Sequence, residues 1–366
     1  MTDFFLFGSL RHAPLLTLVL GQPAGARAQP AVLADHQALL AGPRGPATLR
    51  GRPGQGADGL LLRGLSADEA ERLAFWAGVT GCRAVDLNVD GVGVTGFVAD
   101  AVSPERAFDF NAWQAQWAPL ACLVAPEILG QFGRWPAEEF GEHRLKAIET
   151  RASARLRAPQ RARPTRFDLE KDLVLKDRRL PYLNFFAMTE VDLQHRMFDG
   201  SMSEIMTRAA VTVGDASIVL PYDPVRDSVL LVQQFRAATY IAGDSAPWIW
   251  EAPAGLVDPG ESPEDAAHRE AGEEAKLTLS RLERVAGAYS STGASSEFCH
   301  IFVGIADLEG AGALGGLASE GEDIHGEVMS FEAFNADLQA GRFVNLQLVA
   351  AGFWLALNRE RLRAQG

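Results

Sequence analysis

The stretch that decides the fold of this chain is residues 255–277, which read GLVDPGESPEDAAHREAGEEAKL. A turn rich in glycine and proline leads into a helix that carries Glu270, Glu273 and Glu274 at offsets of three and four residues. This spacing places three carboxylates on one helix face, where like charges repel by roughly a few tenths of a kcal/mol per pair. A hard divalent cation such as Mg2+ would relieve the repulsion, because it binds carboxylate oxygens and usually keeps phosphate oxygens as further ligands. The stretch therefore predicts a metal–diphosphate site, and the alternative is a solvated acidic helix face.

The same stretch resembles the Nudix box, a motif of glycine, glutamate and arginine residues at fixed spacings. The matching positions are Gly255, Glu261, Arg269, Glu270, Glu273, Glu274 and Leu277. Two positions depart from the motif: Ala271 is a small form of its apolar residue, and Lys276 stands where it has a second glycine. A lysine that ends the helix in the left-handed conformation costs about 1 kcal/mol, which a folded domain absorbs. The resemblance therefore implies a functional box.

Residues from about 177 to 356 also resemble the ADP-ribose pyrophosphatase branch of the Nudix hydrolases, including the tellurite-resistance type. The motifs that carry this resemblance are 195–201 (HRMFDGS), 219–224 (VLPYDP), 233–236 (QQFR), 248–255 (WIWEAPAG), 290–297 (SSTGASSE) and 320–324 (EGEDI). The resemblance implies an α/β/α sandwich around a mixed sheet and the hydrolysis of ADP-ribose to AMP and ribose 5-phosphate. The alternatives are a different nucleoside diphosphate derivative, such as a nucleotide sugar, and a sensor that binds ADP-ribose without turnover.

The resemblance also implies the residues that hold the metal ions. Two or three Mg2+ ions, with Mn2+ as a substitute, would bind the diphosphate and activate a water molecule. The implied metal ligands are Ala254 through its carbonyl, Glu270, Glu273 and Glu274. Arg269 would brace these carboxylates, and Glu261 would fix the turn or bind metal through water. The general base would come from a glycine-rich loop, as Glu320 or its neighbour Glu322; the alternative is two solvent-facing acids.

Three further side chains are predicted to contact the substrate. Arg236 would pair with a phosphate or the terminal ribose, because a guanidinium offers bidentate geometry; the alternative is a structural surface arginine. Arg208 is a second candidate, although Ala209 follows it where relatives often carry glutamate. Trp248 or Phe198 would stack on adenine, the alternative being a core aromatic.

The start of the chain carries a second resemblance. Residues 5–11, FLFGSLR, are similar to the Tyr-Gly-Ser motif of gamma-glutamylcyclotransferase-like domains, over roughly residues 1–120. This implies a mixed β-barrel with helices and a loop that binds an amino-acid carboxylate. That ligand loop comprises Phe7, Gly8, Ser9 and Leu10. Ala77 stands where the family has its acid–base glutamate, so the domain is predicted to be catalytically silent, with a structural, dimerising or ligand-sensing role.

Three other acids are candidates to replace the missing glutamate of the first domain. These acids are Glu69, Glu71 and Asp86, and each would require suitable geometry. Live cyclotransferase activity therefore stays as the alternative for this domain.

Length and patterning predict two α+β domains, 1–150 and 168–366, joined by a linker over 151–167. The linker is rich in arginine without interleaved aromatic residues, which favours a solvated helix end over a nucleic-acid patch. Within the first domain, the glycine- and proline-rich segment 42–59 reads as a loop. Ser66 and Glu69 form a capping box that predicts a helix start.

Composition excludes several classes of protein. The net charge of -13 argues against nucleic-acid binding, and no segment reaches the ~20 apolar residues of a membrane span. Cys82, Cys122 and Cys299 are odd in number and widely spaced, so they predict neither disulfides nor a zinc site, and a reducing cytoplasm fits best. A weak cleavage-like pattern at residues 26–28 leaves secretion as the alternative. The Nudix resemblance implies a homodimer.

Overall fold

The computed structural model describes residues 3–42, 46–100, 105–161, 163–312, 314–316 and 321–365. The chain divides into two compact units, Met1–Leu156 and Arg157–Gly366, and both mix helices with strands. This boundary falls inside the predicted linker 151–167. The first residues of that linker are helical, because they continue a helix that runs Ala137–Arg157.

The first unit is built on a five-stranded sheet. Its elements in chain order are β1 (Phe4–Phe7), α1 (Ala13–Leu20), β2 (Ala28–Leu40), β3 (Ala47–Leu62), α2 (Ala67–Val79), β4 (Cys82–Val89), β5 (Val92–Ala99), α3 (Phe110–Gln116), α4 (Ala118–Leu129) and α5 (Ala137–Arg157). The strand order is β2-β3-β1-β5-β4, with β1 parallel to β5 and the other pairs antiparallel. All four residues of β1 are buried, and the capping box at the start of α2 is confirmed.

The loop predicted over residues 42–59 is wrong from Ala47 onward, since β3 occupies Ala47–Leu62 and pairs with β2, and residues 43–45 lie outside the described residues. The ladder contains a register shift beside Asp35, whose φ is 55° and whose carboxylate accepts a hydrogen bond from the Gly54 amide at 2.7 Å. Residues 50–56 are all exposed. Backbone pairing with β2 holds Arg50, Gly51 and Gly56 of this segment, and such pairing leaves no apolar pattern in the sequence.

The second unit contains a three-stranded sheet and a larger mixed sheet. Its elements are α6 (Leu169–Asp172), β6 (Leu173–Leu183), β7 (Ala187–His195), β8 (Met206–Thr212), β9 (Ala216–Asp223), β10 (Ser228–Phe235), α7 (Ala237–Ile241), β11 (Trp248–Glu251), β12 (Ala254–Leu256), α8 (Pro263–Ala275), β13 (Arg281–Tyr289), β14 (Phe298–Ile305), β15 (Leu314–Gly315), β16 (Ile324–Ser330), α9 (Phe331–Gln339) and α10 (Leu346–Arg363). Strands β6, β7 and β8 form the small sheet in that order. The mixed sheet has the order β13-β14-β9-β10-β16-β15, with β11 paired to β10 and β12 to β9.

Strand β9 shows how the mixed sheet carries helices on both faces. Successive side chains of a strand point to opposite faces. Leu220 packs in one apolar cluster with Phe334 of α9 and Leu355 of α10, whereas Val219 packs in another with Ala271 of α8. The second unit is therefore an α/β/α sandwich with a mixed sheet, as predicted.

Helix α8 is the helix predicted from residues 255–277, and its ends have local causes. The Ser262 hydroxyl caps the first turn by accepting a hydrogen bond from the Asp265 amide at 3.0 Å, and Pro263 follows at a position where proline is favoured. Lys276 ends the helix with φ 56° and ψ 33°, the expected left-handed conformation. Its Nζ donates to the Glu273 carbonyl at 2.9 Å, which satisfies one of the last carbonyls of the helix.

Replacing Lys276 by glycine is expected to raise the free energy of unfolding by about 0.5 kcal/mol. Glycine removes the ~1 kcal/mol cost of the left-handed backbone, and loss of the Nζ hydrogen bond offsets part of this gain. Urea unfolding of the purified chain measures the change. The control is Lys171→Gly in α6, which is expected to lower stability because it places glycine inside a helix. A lower unfolding midpoint for Lys276→Gly would contradict this account.

No helix among the described residues has the length and apolarity needed to cross a membrane. Cys82, Cys122 and Cys299 are free thiols.

Candidate active site

Helix α8 brings two of its carboxylates into the protein interior. Glu270 is 7 % exposed and Glu274 is 2 % exposed, whereas the Glu273 side chain is 31 % exposed. Burying a charged carboxylate costs several kcal/mol unless a partner compensates for the lost hydration. Two such groups one helical turn apart on one face indicate a site built to receive positive charge.

Strand β12 lies directly against these carboxylates. A Cβ atom on Gly255 would stand 1.9 Å from Glu270 Oε1, so only glycine leaves room for the carboxylate there. The backbone N–H of Ala254 donates to Glu274 Oε2 at 3.0 Å. The predicted ligand Ala254 thus lies beside the predicted ligand Glu274, and β12 orients both carboxylates.

Arg269 holds the acidic side chains together. Its Nε and Nη2 atoms bind the two oxygens of Glu261 at 2.9 and 3.1 Å, and its Nη1 donates to Glu273 at 3.0 Å and to Glu270. Glu261 also accepts from the Asp258 amide at 3.0 Å, which fixes the turn before α8. The structure therefore brings together the arginine and the acids that the box spacing predicts.

Burial dominates the electrostatics of the two interior acids. It raises the pKa of Glu270 to about 7, against the attraction of Arg269, and raises the pKa of Glu274 to about 8. The negative charge of Glu322 adds to both increases. These two carboxylates would become fully ionised most readily with a cation beside them.

The donor set fits a hard divalent metal ion. Among the described residues, no group of three or more histidine, cysteine, aspartate or glutamate side chains is arranged as a ready metal cage. Mg2+ and similar ions commonly use one or two carboxylates and complete their shell with water and substrate phosphates. Glu270 and Glu274, with the Ala254 carbonyl, could supply such a partial shell.

Glu322 lies two residues before β16, and Glu320 lies outside the described residues. The charge of Glu322 acts on Glu270 and Glu274, which places it near the interior acids. A Cβ atom on Gly315 would stand 1.8 Å from the Glu274 carbonyl oxygen, and the Gly316 amide donates to the Glu273 carbonyl at 3.2 Å. This glycine pair packs against the end of α8.

The predicted substrate residues occupy different parts of the second unit. Arg236 follows β10, and the charges of Glu274 and Glu322 act on its guanidinium, so it lies near the interior acids. Arg208 lies exposed on β8 and donates to the Thr207 carbonyl, and no described contact connects it to the box.

The two aromatic candidates for adenine stacking are both exposed. Trp248 is 62 % exposed and contacts the edge of Phe235 with ring centroids 5.4 Å apart, and Phe198 is 84 % exposed beside Arg166. Neither ring is a core aromatic.

In the first unit, the predicted ligand loop spans the end of β1 and a short 3-10 helix, Gly8–Arg11. Phe7 and Leu10 are buried, and Ser9 lines a cleft of about 500 Å3, open mouth included, together with Trp76 and Glu149.

The position of the missing acid is filled by a core residue, since Ala77 is 1 % exposed on α2. Glu69 caps α2 and binds Arg27, whose hydrogen bond lowers the Glu69 pKa to about 2. Glu71 and Asp86 are exposed. A group with so low a pKa is a poor proton acceptor at neutral pH, which leaves Glu69 in a structural role.

Sequence reasoning missed Glu251 at the end of β11, which is 6 % exposed and binds Arg236. A signal was present, since a charged residue interrupts the apolar run WIWEAPA. It also missed Arg161 in the predicted linker, whose guanidinium stacks 4.1 Å from the Phe298 ring centroid and bonds to buried Asp215. Arg161 is therefore packed, and the prediction of a solvated linker is wrong at this residue.

The second unit thus combines an acidic helix packed on a mixed sheet with interior carboxylates beside Gly255 of β12. A family model described as NUDIX domain matches residues 212–348. The chain is 38 % identical over 194 residues to ADP-ribose pyrophosphatase of Escherichia coli, which covers 53 % of this chain and 92 % of that one. It is 35 % identical over 196 residues to ADP-ribose pyrophosphatase of Haemophilus influenzae, covering 53 % and 90 %.

The chain belongs to the Nudix family, and its second unit is a Nudix diphosphatase. It is also 32 % identical over 136 residues to GDP-mannose pyrophosphatase of Cronobacter sakazakii, covering 37 % of this chain and 67 % of that one. A solved structure described as the crystal structure of ADP compounds hydrolase matches with a TM-score of 0.41 and 23 % identity, covering 54 % and 97 %.

Proposed function

We propose that the second unit hydrolyses the diphosphate of ADP-ribose to AMP and ribose 5-phosphate in a reaction that depends on Mg2+, with Mn2+ as a substitute. The observation that carries the proposal is the pair of interior carboxylates, Glu270 and Glu274, on a helix that packs against β12, where Gly255 lies beside Glu270. Relatives that share about half of this chain are ADP-ribose pyrophosphatases, which supports the choice of substrate.

The residues of the site take distinct roles in this proposal. Glu270, Glu274 and the Ala254 carbonyl would hold the metal ions, and the bound ions would supply positive charge for the diphosphate and lower the pKa of a water molecule. Glu273 lies at the rim, and Arg269 keeps the carboxylates oriented. Glu320 or Glu322 accepts the proton of the attacking water, and the electrostatic proximity of Glu322 to the interior acids supports its candidacy.

A nucleotide sugar is the second candidate substrate, because GDP-mannose pyrophosphatases are among the relatives. The deciding experiment measures initial hydrolysis rates of ADP-ribose, NADH, UDP-glucose and GDP-mannose by the full chain with Mg2+ and with EDTA. Preferential, multiple-turnover release of AMP from ADP-ribose supports the proposal. Preference for a sugar nucleotide selects the alternative, and binding of ADP-ribose without AMP release selects a sensor.

We propose further that the protein is a homodimer in the cytoplasm and that its first unit is catalytically silent, with a structural, dimerising or ligand-sensing role. The buried Ala77 and the capping role of Glu69 support the absence of acid–base chemistry in that unit. Formation of 5-oxoproline from gamma-glutamyl peptides, lost on Ser9→Ala, would instead establish cyclotransferase activity.

Metal binding is expected to release about one proton at pH 7, because metal ligands must be deprotonated and Glu270 and Glu274 have pKa values of about 7 and 8. Calorimetric titration of Mg2+ in two buffers with different ionisation enthalpies measures this number. The release is expected to fall toward zero above pH 9 and to be smaller in Glu274→Gln. A release that is absent at pH 7 would contradict the burial of these acids.

The same pKa values set how stability changes with pH in the metal-free protein. Both folded-state values lie above the reference of 4.5, so the folded state binds more protons than the unfolded chain between pH 4.5 and about 8. The contribution of these two groups to the free energy of unfolding is therefore complete below pH 4.5 and is lost as the pH rises to about 8.

A further inference from the structure

Glu251 is a buried carboxylate whose two oxygens are both committed. Oε2 accepts from Arg236 Nε at 2.9 Å and from Nη2 at 2.6 Å, and Oε1 accepts from Asn345 Nδ2 at 3.0 Å. Asn345 is itself fixed, since its Oδ1 caps α10 by accepting from the Leu348 amide at 2.9 Å. The carboxylate is therefore held from one side by a helix terminus and holds Arg236 from the other.

Glu251 binds Arg236 through one edge of the guanidinium. The Arg236 side chain is 41 % exposed, and Glu251 binds the Nε and Nη2 atoms that form a single edge of the guanidinium. Burial lowers its pKa, but the hydrogen bond and charge of Glu251 and the charges of Glu274 and Glu322 outweigh this and raise it. Glu251, which binds the guanidinium, lies three residues before Ala254, whose amide donates to Glu274 at 3.0 Å, so Arg236 lies close to the interior acids of the box.

A second arginine–carboxylate pair shows what a purely structural role looks like. Asp223 is 2 % exposed and binds Arg226, whose side chain is 39 % exposed. Asp223 also accepts three backbone N–H groups, from Val225, Arg226 and Leu308, so its carboxylate shapes the chain itself. The described hydrogen bonds to Glu251 all come from side chains.

A buried ion pair contributes little net stability compared with well-packed apolar residues. The described hydrogen bonds to the Glu251 carboxylate come only from side chains, and one donor is the partly exposed Arg236 near the proposed metal site. We therefore infer that Glu251 has a role beyond stability. Guanidinium groups bind phosphate oxygens through parallel hydrogen bonds whose geometry must be set in advance.

We propose that Glu251 is a positioning residue that holds Arg236 so that its remaining edge faces the diphosphate bound at Glu270 and Glu274. This inference rests on the proposed diphosphatase site and adds a residue that orients the substrate. The chain Asn345–Glu251–Arg236 connects the N-terminus of α10 to the phosphate, and Glu251 itself does not touch substrate.

The test compares Glu251→Gln with the matched variant Asp223→Asn. Glu251→Gln is expected to lower kcat/KM about 30-fold, mainly through a higher KM, since a charged hydrogen bond to phosphate is misaligned. The double variant Glu251→Gln/Arg236→Gln is expected to equal Arg236→Gln alone, because Glu251 acts through Arg236. Asp223→Asn is expected to lower the melting temperature and leave KM unchanged.

A chemical readout does not depend on turnover. Phenylglyoxal modification of Arg236, followed by peptide mass spectrometry, is expected to be slowed about tenfold by Mg2+ with ADP in the wild type and less in Glu251→Gln. If Glu251→Gln does not fold, Arg236→Lys replaces it in the test. Lysine keeps the positive charge but cannot form the paired Nε and Nη2 hydrogen bonds to Glu251, so this variant is expected to raise KM to a similar extent.

The outcomes separate this inference from the proposed function. If the wild type releases no AMP from ADP-ribose, the proposed function fails, and protection of Arg236 by Mg2+ with ADP still tests the positioning role. Additive effects of the two substitutions, or an unchanged KM in Glu251→Gln, would overturn the inference. So would a wild-type Arg236 that ADP does not protect.

Discussion

Glu274→Gln is expected to lower kcat for ADP-ribose about 1,000-fold while the second unit stays folded. Glutamine has nearly the same shape as glutamate, and its amide oxygen still accepts the Ala254 N–H that Glu274 binds at 3.0 Å. It cannot supply negative charge to a metal ion. A metal ion contributes several kcal/mol of transition-state stabilisation, and ~4 kcal/mol corresponds to about three powers of ten in rate.

The measurement is multiple-turnover AMP release with saturating Mg2+, together with thermal unfolding in EDTA. Glu264→Gln is the matched control, because Glu264 is exposed on the first turn of the same helix and loses the same charge. It is expected to retain nearly full activity. Equal losses in the two variants would mean that the charge of the helix matters and not the buried position of Glu274.

Removing the buried acid is also expected to stabilise the metal-free protein at pH 8. Burial raises the Glu274 pKa, so ionising this group opposes folding at that pH. A variant that loses activity and gains stability is the signature of a site where stability is given up for function.

Helix α8 was predictable because the relevant sequence information is local. Offsets of three and four residues place side chains on one face whatever the rest of the protein does, so Glu270, Glu273 and Glu274 follow from the helical period. The left-handed conformation of Lys276 was predictable from its position in the box, since the motif has glycine there. The family resemblance then extended this local prediction to the surrounding sandwich.

The features that were not predicted depend on contacts between distant parts of the chain. Glu251 meets Asn345 across 94 residues, and no local spacing anticipates that hydrogen bond. Gly315 reads as part of a flexible glycine-rich segment, yet the structure packs it against the Glu274 carbonyl. Strand β3 was also not predicted, because it pairs with β2 through the backbone, and this pairing leaves no apolar pattern in the sequence.

Gly255→Ala is expected to lower kcat/KM about 100-fold, the second large effect at this site. The added Cβ would stand 1.9 Å from Glu270 Oε1 and 2.3 Å from its Cδ, so the carboxylate has to move. Gly255 is not among the glycines with positive φ, so alanine meets no backbone strain in β12 and the effect comes from the displaced acid. Displacing a catalytic group by about 1 Å is enough for a loss of this size.

Gly272→Ala separates this steric argument from a general intolerance of larger residues. Gly272 lies on α8 between the same acids, and its added Cβ would find its nearest neighbour, the Leu277 carbonyl oxygen, 3.9 Å away. Alanine there is expected to keep activity and to stabilise the helix by roughly 1 kcal/mol. Kinetics and urea unfolding of both variants test the pair. Wild-type activity in Gly255→Ala would show that Glu270 need not occupy the space beside β12, and the assignment of Glu270 as a metal ligand would then be wrong.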